Sequence, residues 1–224
     1  MKMAIPEHPP NRVVCYIDGF NVYYGLRDNG LRKYYWLDLR RLTLSLLKPD
    51  QKLEHTKYFT SRISGGISGD PPWLKDKLGQ KRKRQGDYLE ALSLLPDFTL
   101  YEGHYLAKAM VCRKCNAQWR SYEEKMTDVN IATELLMDAV QDRFDAALVV
   151  SADSDLVPPI RAVRRFFPKK RIVVALPFGR SSAQLKQAAT AWFNIHAVKY
   201  KKSQLADKIV KPNGHVLSRP EHWR

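Results

Sequence analysis

The stretch FDAALVVSADSDLVPPI, residues 144–160, decides the reading of this chain. Its first half, FDAALVVS, is a nearly unbroken apolar run of strand length. It lacks the alternation of a sheet with one wet face, so it suits a strand buried on both faces of a parallel sheet. The second half turns polar at once. Asp153 and Asp155 are separated only by Ser154, and a helix is expected over 156–167. Like charges crowded at the mouth of a buried strand repel, so something must compensate them.

The same alternation runs outward in both directions. RVVCYID (12–18) is a short β-rich run ending in an acid and the turn-former Gly19, and FNVYYGLRDNGL then reads as a helix closed by Asn29-Gly30. LDLRRLTLSLL (37–47) repeats Leu at helical spacing and stops before Pro49. A strand is expected within 52–63, a Gly/Ser/Pro loop over 64–73, a helix over 77–95 and a strand in DFTLYEGHYLA. A polar insertion, VCRKCNAQWRSYEEK, precedes a helix in DVNIATELLMDAVQD, whose Ala132, Leu135, Leu136, Ala139 and Val140 share one face. Past the decisive stretch come strand RIVVALP (171–177) and a helix over 181–195 with a serine cap. Strands alternating with helices predict one three-layer α/β domain over 12–200, with a mostly parallel sheet flanked by helices. The insertion lies near 108–122, and the polar tail over 201–224 is expected to be loosely held.

Composition narrows the function. The chain has 224 residues, 44% of them hydrophobic, enough for a real core. It contains neither an apolar run of signal-peptide length at its start nor one of about 18 residues to span a membrane. The expectation is a soluble, cytoplasmic protein. A net charge of +15 and a pI of 9.8 point to a polyanionic partner, with nucleic acid the commonest. The cations are clustered in KRKR (81–84), RR (164–165), KKR (169–171) and KYKK (199–202).

The acids gather elsewhere. In open α/β sheets, ligands bind beyond the carboxyl ends of the strands. Asp18 ends the first strand, Asp153 and Asp155 follow the AALVV strand, and Asp128 opens the DVNIA helix. Four carboxylates from three segments are thus candidates for one rim, where a hard cation such as Mg²⁺ would offset their repulsion. Each also has a plainer reading, because Asp is a preferred helix cap and a common turn residue.

YIDGFNVYYGL, then EKMTDVNIATELLMDA, then DAALVVSADSDLVPPI resemble, in that order, the NYN family in its LabA-like (DUF88) branch, a PIN-like ribonuclease fold. The resemblance runs from Val13 to Ile195. It implies that Asp18, Asp128, Asp153 and Asp155 bind Mg²⁺ or Mn²⁺ and are catalytic, with Asn21 a polar companion of Asp18. Two positions depart from the family pattern: Ala152 stands where Gly is usual, and Thr190 where an acid is common. A Cβ at residue 152 would constrict the backbone if that position needed a positive φ.

The implied activity is hydrolysis of RNA phosphodiester bonds by an endoribonuclease. Thr127, Ser151, Ser154 and Lys125 are candidates to contact phosphate or support the acids. Arg82 and Arg84 of KRKR are candidates to track the backbone, with Trp73 or Tyr88 available for stacking. Tyr23 and Tyr24 divide between core and pocket, with at least one expected in the core. Arg161, Arg164 and Arg165 form either the far wall of a channel or a solvent face. A reading from another class is a non-catalytic RNA-binding module that keeps the acidic rim. A haloacid-dehalogenase phosphatase also places Asp after its first strand but wants a second Asp two residues on, where this chain has Phe20. A Rossmann dehydrogenase lacks its G-x-G-x-x-G.

Cys112 and Cys115 in CRKC make half a zinc site, to which His104 is a candidate third ligand. A zinc shared in a homodimer, a redox pair and an ordinary reduced pair all remain open. Cys15, on the first strand, is expected in the core.

Overall fold

A computed structural model describes residues 11–63 and 71–224. The Gly/Ser/Pro loop expected from residue 64 lies, through residue 70, outside the described residues. The strands are β1 (Asn11–Asp18), β2 (Gln51–Ser61), β3 (Phe98–Val111), β4 (Gln118–Lys125), β5 (Ala146–Val150), β6 (Arg171–Leu176) and β7 (Ala191–Asn194). They form one sheet in the order β4-β3-β2-β1-β5-β6-β7, with only the β3–β4 pair antiparallel.

The apolar run that opened the reading is buried on both sides, as a central parallel strand requires. Ala146, Leu148 and Val150 face one core, Ala147 and Val149 the other. β1 divides the same way, Val13, Cys15 and Ile17 against Val14 and Tyr16. The first core is covered by α1 (Gly19–Asp28), α2 (Leu39–Leu46), the end of α3 (Pro72–Ser93) and Tyr200, and the second by α4 (Thr127–Val140), α5 (Val157–Phe166) and α6 (Ala183–Ala188). Each fully buried Val or Leu contributes about 1.5–3 kcal/mol, so the paired cores hold the three layers together.

Four expectations are corrected. The helix expected over 181–195 ends at Ala188, because Ala189 turns extended and Ala191–Asn194 pair with β6 as the edge strand. The buried stripe of α4 runs through Ile131, Leu135 and Ala139, while Val140 is exposed. The polar insertion is a hairpin. β3 pairs with β2 only through Gly103, and from His104 to Val111 it continues past the sheet edge beside β4. The tail is held, not loose: Leu217 is buried, Trp223 packs edge-on or tilted against Tyr35, Trp36 and Tyr88, and Lys211 pairs with Glu90. A small hairpin of β8 (Lys208–Val210) and β9 (Val216–Ser218) carries Leu217 into the core.

Candidate functional site

The chain runs outward from β1 through β2 to β3 and β4, then returns to the other side of β1 as β5. The crevice between the carboxyl ends of β1 and β5 is therefore the point where strand order reverses, the place where open α/β sheets bind ligands. The register sets Ile17 beside Val150, and the next residues out are Asp18 and Ser151.

Asp18 caps α1 and is almost fully buried. Its Oδ1 accepts from the Asn21 backbone N–H (3.0 Å), and its Oδ2 accepts from Asn21 Nδ2 (2.6 Å) and Ser151 Oγ (2.8 Å). Asn21 Oδ1 in turn accepts from the Ala152 N–H (3.2 Å), and Ser151 Oγ from the Asp153 N–H (3.0 Å). Burial pushes the Asp18 carboxyl above its ordinary range, the bonds from Asn21 and Ser151 oppose this, and nearby Asp153 adds to the rise. Gly19 permits this junction: a Cβ there would stand 2.7 Å from the Phe59 carbonyl oxygen.

Asp153 caps the short 3-10 turn that precedes α5, its Oδ1 accepting from the Asp155 N–H (3.0 Å). Asp155 and Ser154 are exposed, Asp153 half-buried. Ala152 does not adopt a positive φ, so its Cβ strains no backbone there.

Asp128 reaches the rim from the first turn of α4. Burial raises its pKa to about 7, helped by the negative fields of Asp153, Asp18, Glu124 and Asp155. Those four acids therefore share its surroundings. The turn into α4 is unusual. Met126 has φ +82°, and Glu124 Oε1 accepts from the Thr127 N–H (3.0 Å), from Thr127 Oγ1 and from Ser61 Oγ (3.2 Å). Gly103 leaves room for this return, since a Cβ there would meet the Lys125 carbonyl at 2.5 Å. Sequence reasoning missed Glu124. Its signal was an acid three residues before Thr127, where a side chain can accept the orphan N–H of a helix start. Lys125 is half-buried at the end of β4.

The donor set is all oxygen and strongly anionic, which suits a hard divalent cation in kind. Among the described residues, however, no three His, Cys, Asp or Glu side chains are grouped so as to hold a metal ion as they stand. The carboxylates ring the crevice without converging on one point.

Beside Asp18 opens a cavity of about 910 Å³, lined by Gly19, Thr60 and Tyr58 at the rim and by α1 and α3 beyond it. Tyr23 is exposed and Tyr24 half-buried, and both line this cavity, so neither belongs to the core. Lys77, Lys81 and Arg84 line it too, at the spacing of one helical face. Arg82 points off that face and is not in the lining, and Trp73 is exposed elsewhere. Tyr88 donates to the Leu37 carbonyl (2.8 Å) at the back of the cavity. Arg161, Arg164 and Arg165 sit with Arg171 and Thr190 around a different hollow of about 410 Å³, at the amino edge of the sheet. They do not wall the crevice, and an acid at Thr190 would not reach it.

Cys112 and Cys115 occupy the tip of the β3–β4 hairpin. His104 lies eight strand residues away, about 26 Å at the usual rise, and cannot join them. Backbone N–H groups of Cys115 and Lys114, with the Cys115 thiol, lower the Cys112 pKa. Cys15 is buried, accepts from Thr43 Oγ1 (3.4 Å), and has its thiol pushed up to about 12 by burial.

The sequence model of the NYN domain matches residues 12–196. The chain belongs to the NYN family. This places it in a PIN-like, nuclease-type family and agrees with the order of its three acidic motifs. It is also 30% identical to 6-hydroxy-3-succinoylpyridine 3-monooxygenase HspA of Pseudomonas putida, over 97% of this chain and 77% of that protein. A crystal structure of a protein of unknown function from Vibrio parahaemolyticus is similar in fold, with a TM-score of 0.52 at 16% identity, covering 90% of this chain and all of that one. No helix among the described residues of this NYN protein is long and apolar enough to cross a membrane.

Proposed function

We propose that this NYN protein is a metal-dependent ribonuclease that cuts RNA at the β1/β5 crevice. The observation that carries the reading is the placement of Asp18 at the end of β1, Asp153 and Asp155 just past β5 and Asp128 in the first turn of α4, all at the switch point of a nuclease-type fold. Asp18 and Asp153 also cap helical starts, yet like charges so close repel, which suits the ring to gathering cations. Asp18, Asp128, Asp153 and Asp155 would hold Mg²⁺ or Mn²⁺. When bound, such an ion supplies an activated water and offsets charge on the scissile phosphate. Asn21 and Ser151 fix the Asp18 carboxylate through three hydrogen bonds, so its orientation is set before substrate arrives. Glu124 anchors the start of α4 and with it the aim of Asp128. The basic surface, with a net charge of +15, would draw the RNA in. The test is cleavage of labelled RNA with Mg²⁺, Mn²⁺ or EDTA, the wild type beside Asp18→Asn and Asp153→Asn.

The likeness to HspA over nearly the whole chain favours a second reading, oxidation of a hydroxypyridine that carries a succinoyl chain. Incubation with that compound, dioxygen and a reduced nicotinamide as electron donor tests it. Loss of the substrate, followed by chromatography, would support it. No turnover, beside metal-dependent RNA cleavage, would dismiss it.

A further inference from the structure

The cavity beside Asp18 has a make-up that phosphodiester hydrolysis alone does not call for. Among the described residues its lining includes eight aromatic side chains, five Arg or Lys and no acid. Phe20 stacks on Tyr24 at 6.3 Å and meets Tyr105 edge-on at 6.0 Å, and the Arg27 guanidinium lies 4.4 Å over the Tyr24 ring. Lys77, Lys81 and Arg84 face these rings from α3. That helix has 22 residues, yet its buried residues are only Leu89, Ala91 and Leu92 near its end. Core packing explains its last turns. Its earlier turns present Lys77, Lys81 and Arg84 to the cavity. At about 910 Å³ the space falls in the range of sites that enclose small ligands.

Rings against which another ring can stack, bounded by cations and free of acids, select a flat aromatic group with a negative charge attached. We propose that this cavity binds a planar aromatic ring bearing an anionic arm, supplied by an unpaired nucleotide of the RNA strand beside the bond to be cut. This rests on the nuclease reading above. The base stacks among Phe20, Tyr24 and Tyr105, and its phosphate meets Lys81 and Arg84. The neighbouring phosphodiester then lies over Asp18, because Gly19 and Phe20 belong both to the cavity wall and to the helix that Asp18 caps. A base paired in a duplex cannot enter, so the protein selects single strands. A free aromatic acid has the same ring and charge and is the other source of this chemistry.

The experiment measures binding in EDTA, where nothing is cut. Its probes are a labelled five-nucleotide single-stranded RNA, the same RNA as a duplex, and 3-benzoylpropionate, each against the full chain. Lys81→Glu with Arg84→Glu changes wall positions that lie outside the core, and Tyr24→Ala removes a ring. The single strand is expected to bind at least ten-fold more tightly than the duplex, and both changes to weaken it ten-fold or more. If only 3-benzoylpropionate binds, and both changes weaken it, the cavity chemistry stands and the RNA source is overturned. If no probe binds, or if the changes leave binding unaltered, the cavity proposal is overturned even where Mg²⁺-dependent cleavage persists. Tight, variant-sensitive RNA binding without cleavage in any metal would overturn the nuclease reading and keep the cavity.

Discussion

Ser151 Oγ donates a 2.8 Å hydrogen bond to Asp18 Oδ2, joining the ends of two adjacent strands that are 133 residues apart in sequence. Ser151 also accepts from the Asp153 N–H, so one hydroxyl ties the first acid of the rim to the loop of the last. Ser151→Ala leaves a buried carboxylate short of a donor and an N–H short of an acceptor. We expect a loss of about 1–3 kcal/mol in stability, read by urea denaturation. Ser151→Thr, which keeps the hydroxyl, should recover part of it.

Asp128 gives the pH dependence. Its folded pKa of about 7 lies above the ordinary 3.8. A carboxyl raised in this way stabilises the fold fully below the unfolded pKa, and the contribution is lost as pH rises through the folded value. In EDTA the wild type should therefore lose stability between pH 4 and 7 relative to Asp128→Asn. Screening at this half-exposed site reduces the effect to about 1–2 kcal/mol. Thermal melts across that range measure it. At pH 7.5, added Mg²⁺ should raise the wild-type melting temperature more than that of the variant.

Lys57 is the cation of a buried network away from the crevice. Its ammonium pairs with Glu134 (2.7 Å) and Asp138 (2.6 Å), while Tyr101 donates to Glu134 and Tyr16 to Asp138. Lys57→Met leaves two carboxylates facing each other without a counter-charge, and should cost about 3–5 kcal/mol. A triple change that also replaces Glu134 and Asp138 with Gln and Asn should recover much of that loss in the same denaturation assay.

Met126 holds a left-handed backbone, φ +82°, with its side chain half exposed. An L-residue in that region pays about 1–2 kcal/mol that glycine does not, partly offset by the greater freedom of glycine when unfolded. Met126→Gly should stabilise the protein by about 0.5–1 kcal/mol. An unchanged or lower melting temperature would contradict this.

Hydrophobic period and turn chemistry made the α/β order legible. AALVV suited a strand buried on both faces, and Asp18-Gly19 and Ser182 marked helix starts that the structure keeps. Asp18, Asp153 and Asp155 were legible at one rim because strand ends are countable along a chain, and Asp128 because it opens a helix that starts there. What failed depended on long-range partners. AWFN reads as helix beside AQLKQA until β6 offers it a sheet edge. Trp223 lends its polar tail a core only because Trp36 and Tyr88 wait for it. In KRKR, Arg84 shares with Lys81 the face turned to the cavity and Arg82 does not, a distinction fixed by the phase of α3 against α1. Glu124 carried only the weak signal of an acid three residues before Thr127, since its role also depends on the left-handed turn at Met126, which no residue type announces.

The most direct test of the central claim is cleavage of a labelled single-stranded RNA by the wild type, Asp18→Asn and Asp153→Asn, each with Mg²⁺, Mn²⁺ or EDTA. The account predicts cutting by the wild type with metal, none in EDTA, and at least a hundred-fold loss in both variants. Cutting that survives EDTA, or that both variants retain, would contradict it.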